Sequence, residues 1–80
     1  METMNGYTII ADHVVPNYGR VILGVKPVMT AVRAGGFEYV TAVTGPRTDS
    51  PREWHAGHYT MDLDRAVSDY NERAGITALS

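Results

Sequence analysis

The sequence predicts an α+β fold: a four-stranded, mainly antiparallel sheet with one C-terminal amphipathic helix packed on one face. Three observations carry this expectation. Leu63, Ala66, Val67, Tyr70 and Ala74 recur at the spacing that gathers side chains on one stripe of a 3.6-residue helix. Upstream stretches rich in Val, Ile, Tyr and Thr have strand lengths and are separated by turn formers. The connections between them are short enough for consecutive strands to pair as a meander.

Residues 7–15 form the first strand, ended by Pro16-Asn17-Tyr18-Gly19, where Pro fixes φ and Gly permits positive φ. Residues 20–26 alternate, so that Val21, Leu23 and Val25 share the core-facing side and Ile22 points away. Residues 27–36 fit two descriptions, a short helix begun by Pro27 and stopped by Gly35, or an irregular connection. Residues 37–44 are the third strand. Its two sets, Phe37/Tyr39/Thr41/Val43 and Glu38/Val40/Ala42/Thr44, are both too apolar to say which faces the helix. A polar loop bracketed by Pro46 and Pro51 leads to the fourth strand, 54–59. Thr60 or Asp62 caps the helix, Asp62 and Asp64 complement its positive end, and Gly75 ends it. Leu63 and Tyr70 are expected to pack on the sheet, and Asp69 and Arg73, four apart, to form a solvated pair.

The 80 residues read as a single domain, 1–80, with 44% hydrophobic and 20% charged residues, a globular composition. A domain of this size buries only roughly 60–65% of the surface of its unfolded chain, so one large core side chain matters. Net charge is −2, and the seven Lys and Arg residues are scattered. Phosphate backbones reward clustered cations, so nucleic acid is an unlikely partner. Cysteine is absent, which removes disulfides, thiolate metal sites and a Cys nucleophile and suits a reducing cytoplasm. No stretch approaches the ~20 apolar residues of a membrane span, and the expected location is cytoplasmic.

No enzymatic constellation stands out. His55 and His58 are three apart, which on a regular strand sends them to opposite faces and away from a shared metal. His58 with Asp62 or Asp64 is the one acid–base combination close in sequence, and Asp at a helix start is ordinarily a cap. Gly35-Gly36 lacks the Gly-Lys-Ser/Thr ending of a phosphate loop. No cofactor or metal is expected. Trp54 reads either as core beneath Tyr70 and Leu63 or as an interface anchor.

The segment Glu38-Tyr39-Val40-Thr41, then Trp54-His55-Ala56-Gly57-His58-Tyr59, then Leu63-Asp64, Ala66, Asp69-Tyr70 and Arg73 resembles small orphan proteins of phages, plasmids and integrative elements. Those carry Tyr-Val-Thr-Trp, a polar loop, Gly-His-Tyr-Phe, and an acidic helix closing on Asp-Phe-x-x-Arg. The resemblance spans the second half of the chain and, more loosely, Ile22-Leu23-Gly24. This chain departs from it with Ala42 in place of Trp and Thr60 in place of Phe. It implies a context, an accessory protein of a mobile element acting on host machinery.

One helix covers one sheet face, so the other is expected to carry an apolar patch met by a host protein or by a second copy in a homodimer. Tyr39, Arg47, Arg52, Trp54 and His58 are the candidate interface residues. The expected function is therefore a small non-enzymatic protein-binding module. The alternative is a nucleic-acid-associated accessory or regulatory protein.

Overall fold

The computed structural model describes residues 2–16, 19–28, 36–44 and 54–75, with only the backbone for His55. Its elements are β1 (Thr3–Met4), β2 (Tyr7–Val15), β3 (Gly19–Val28), β4 (Gly36–Thr44), β5 (His55–Thr60) and α1 (Leu63–Ala74). The strands form one antiparallel meander in the order β1-β2-β3-β4-β5. The sheet thus has five strands where four were expected. The additional one arises from Asn5-Gly6, both at positive φ (52° and 87°), which turn the chain so that Met4 pairs with Tyr7. Asn-Gly favours the mirror-image turn of a two-residue hairpin, because its twist matches that of the strands.

β3 runs on through Pro27 to Val28, so Pro27 begins no helix. It falls beyond the last β2–β3 pair, Thr8↔Val25, where β4 alone flanks the strand and a missing N–H is tolerated. Residues 29–35 lie outside those described.

α1 covers the face carrying Val21, Leu23 and Val43, with Ala11, Val15 and Tyr39 packed around them. This settles the parity of β4: Tyr39, Thr41 and Val43 look toward the helix, and Val40 and Ala42 look away. From the helix come Ala66, Tyr70 and Ala74. Leu63 is 45% exposed, so the buried stripe is rotated from the expected one, toward Asp69 and Arg73. Asp62 is the N-cap, accepting from Arg65 N at 3.2 Å, and Gly75 closes the helix at φ 72°.

The opposite face is not left open. Ile22, Val40 and Ala42 are fully buried there, under Tyr7, Ile9 and Trp54. Tyr7 of β2 reaches Trp54 (ring centroids 5.7 Å apart) and Tyr59 of β5 (6.4 Å), although two strands lie between. Flat strands set about 4.8 Å apart would keep β2 and β5 about 14 Å apart, so the sheet must curl to let these rings meet. Gly24 makes room. A Cβ there would stand 3.0 Å from Tyr7 Cβ and 3.2 Å from Val40 Cγ1. The Tyr7 hydroxyl donates to Glu38 Oε1 at 2.5 Å, and Lys26 Nζ lies 4.7 Å above the Tyr7 ring. Burial, then the Glu38 bond, pushes the Tyr7 hydroxyl well above the ordinary tyrosine range.

Two bulges make this two-sided packing possible. In β2 the register slips between Ile9 and Ala11, so Tyr7 and Ile9 serve one face and Ala11 and Val15 the other. In β5 it slips where Val43 meets His55 and Thr41 meets His58, with Ala56 at φ 54°. Positions 55 and 58 therefore stand opposite residues of the same β4 face, contrary to the strict alternation expected from the sequence.

Candidate functional site

The richest polar arrangement lies where α1 crosses β4 and β5. Thr41, 1% exposed, sits at the centre of β4 and donates its hydroxyl to Asp69 Oδ2. His58 Nδ1 lies 2.9 Å from the same oxygen. Arg73 Nη1 donates to Thr41 O at 2.9 Å and to Thr41 Oγ1 at 3.0 Å, and stands 3.9 Å from Asp69 Oδ2. The two residues expected to form a solvated pair thus tie the helix to the sheet, with the Arg73 side chain only 10% exposed. They lie one turn apart, so each reaches Thr41 from successive turns of α1.

The bulge explains how His58 joins them. Its extra residue shifts the alternation by one and aims the imidazole at the helix side of β5, opposite Thr41. Burial by itself would raise the Asp69 pKa, but the hydrogen bonds from Thr41 and His58, with the charge of Arg73, outweigh it and hold the carboxyl below its ordinary range. Asp69 stays ionised and fixes the ring of His58, whose side chain is 60% exposed. Each of these three contacts goes to Asp69 Oδ2.

Beside this network a cleft of about 180 Å³ opens between β5 and α1, lined by Thr41, His58, Tyr59, Thr60, Arg65, Ala66 and Asp69. β5 has β4 on one side and, among the described residues, no strand on the other. Arg65 is the described Lys or Arg without an ion pair. Arg20 holds Glu2 and Asp12, Lys26 holds Glu38, and Arg73 holds Asp69. Among the described residues no group of His, Asp and Glu could hold a metal ion.

The candidate interface residues disperse. Tyr39 packs against the cluster under the helix and Trp54 against the cluster on the opposite face, and both are half-buried. His58 alone borders the cleft, and Arg47 and Arg52 lie outside the described residues. Sequence reasoning missed Thr41, Asp69 and Arg73, because their convergence needs the register of β4 and the rotation of α1. Asp69 and Arg73 at i, i+4 were visible as a pair, and nothing local marked them as inward-facing.

No protein family matches this sequence, and neither a curated protein nor a solved structure shows detectable similarity to it.

Proposed function

We infer that the chain is a small protein-binding module whose contact surface is the edge of β5 together with the first turns of α1. One observation carries this reading. Of the seven described large hydrophobics that stand exposed, four (Tyr59, Met61, Leu63 and Val67) fall within residues 59–67, where the end of β5 leads into the first turns of α1. Residues scattered singly are ordinary on a surface, whereas a concentration of exposed apolar side chains in one short segment supports an interaction site. Leu63 and Val67 are four apart and share a helix stripe, on the flank of α1 away from Arg65 and Asp69, which line the cleft.

The pairing of Arg20, Lys26 and Arg73 with carboxylates supports a protein partner over nucleic acid, since cations already neutralised release few counterions. The resemblance of the second half to mobile-element proteins supports a host protein in the cytoplasm as that partner, and among the described residues no helix is long and apolar enough to cross a membrane.

Affinity capture with the wild-type chain and with a Leu63→Glu, Val67→Glu variant tests the reading. A partner that survives nuclease treatment and is lost with the variant, while the variant melts like wild type, is the expected result. A partner retained by the variant, or recovered only with nucleic acid present, overturns it.

A further inference from the structure

We propose that the groove between β5 and α1 receives an extended acidic segment of the partner, which adds to β5 as a sixth strand and places a carboxylate against Arg65. This rests on the protein-binding reading and specifies its chemistry.

Three features converge on it. The backbone of β5 is paired on one side only among the described residues, and an unpaired strand edge is a template for main-chain hydrogen bonding by an extended peptide. The cleft lies on that edge strand, with His58, Tyr59 and Thr60 as one wall and Arg65, Ala66 and Asp69 of the helix as the other. An edge strand facing a helix supplies main-chain affinity and a pocket for side-chain selection together. The other long edge runs along β2. Its flank is occupied by the Glu2–Arg20–Asp12 ion pairs.

Charge decides the occupant. Asp69 is already served by Thr41, His58 and Arg73, so its negative charge is answered from within the fold. Arg65 is not answered, and it lines the same cleft. A carboxylate entering there meets an unpaired guanidinium and the exposed edge of the His58 ring, whose other nitrogen Asp69 holds. The alternation of β5 then extends to its guest. His58 stands opposite Thr41 on the helix side and Tyr59 opposite Val40 on the other, so neighbouring guest residues meet the cleft and the exposed Tyr59 ring in turn. The segment recognised has an acidic residue flanked by apolar ones.

The test uses the full chain, isotope-labelled, titrated with acetyl-Thr-Val-Glu-Val-Thr-amide, with the same peptide carrying Lys for Glu, and with one whose backbone amides are N-methylated. Saturable amide shifts confined to residues 56–60 and 63–69 are expected. Both altered peptides should bind about tenfold more weakly or worse, and Arg65→Gln should weaken the acidic peptide by a similar factor while leaving the melting temperature unchanged. Absence of saturation at millimolar peptide, equal binding of the lysine peptide, or shifts centred elsewhere overturns the proposal. If capture of a partner depends on Leu63 and Val67 while the acidic peptide fails, the protein-binding reading stands and this inference falls.

Discussion

The two faces of the sheet are buried by different means. Under α1 the seal is local in origin: a helix whose Ala66, Tyr70 and Ala74 recur every four residues lies on Val21, Leu23 and Val43. On the far side no helix covers the sheet among the described residues, and Ile22, Val40 and Ala42 are shut from water by rings that meet across two intervening strands. The first face rests on a repeat within one segment. The second rests on curvature, which belongs to the whole sheet. A face without a helix therefore need not be a binding face, and four of the seven exposed large hydrophobics among the described residues lie instead within residues 59–67.

The largest expected effect breaks the helix-covered side. Tyr70→Ala should cost about 3 kcal/mol, enough to threaten so small a domain, whereas Leu63→Ala, at a half-exposed site, should cost under ~1 kcal/mol. Equal losses in denaturant melts would mean that the helix docks on the stripe first read from the sequence. Next, Gly24→Ala tests the self-covered side. The added methyl meets Tyr7 Cβ and the Val40 side chain, neither able to retreat easily, and overpacking of this kind costs about 1–3 kcal/mol. A neutral outcome would show that Tyr7 does not lie across that strand.

Thr41→Val keeps the shape of the side chain but removes the hydroxyl that serves both Asp69 and Arg73. Stability should fall by about 1–3 kcal/mol, because the partners are charged and partly buried. The pH dependence adds an acid and an alkaline limb. Asp69 has a folded pKa below its ordinary 3.8, so its contribution is present above that value and lost as pH falls through the folded one. Tyr7 and Tyr70 have folded pKa values above their ordinary 10.0, so their contribution is full below pH 10 and lost as pH rises beyond it. Unfolding midpoints of wild type, Thr41→Val and Tyr7→Phe across both limits should show the acid limb reduced in the first variant and the alkaline limb reduced in the second. The smallest effect is a gain. Ala56 holds φ 54° in the β5 bulge, and Ala56→Gly should stabilise by about 0.5–1 kcal/mol, measured as a rise in denaturation midpoint.

What the sequence disclosed follows the same division. The helix, a cap at Thr60 or Asp62, the Gly75 stop, and the inward set Val21/Leu23 were readable because each depends on neighbours within a turn or two. The hairpin at Asn5-Gly6 was also written locally, and went unread because residues 3–4 are so short a strand. The bulge at Ile10 leaves no local mark, and the one at Ala56 leaves only the neighbouring Gly57 inside a strand pattern. They flip the alternation midway, which is why odd-numbered Tyr7 and Ala11 serve opposite faces and why His58 reaches Asp69. The site Thr41–His58–Asp69–Arg73 inherits that opacity, being assembled from three elements whose register no single segment specifies.

The self-covered face can be tested through the chain's one tryptophan. Trp54 lies half-buried against Tyr7, so its fluorescence in the native state should be quenched by acrylamide well below the level of the unfolded chain and should become more accessible in Tyr7→Ala. Native quenching equal to that of the unfolded chain, and indifferent to Tyr7→Ala, would contradict the closed face and return it to the list of binding surfaces.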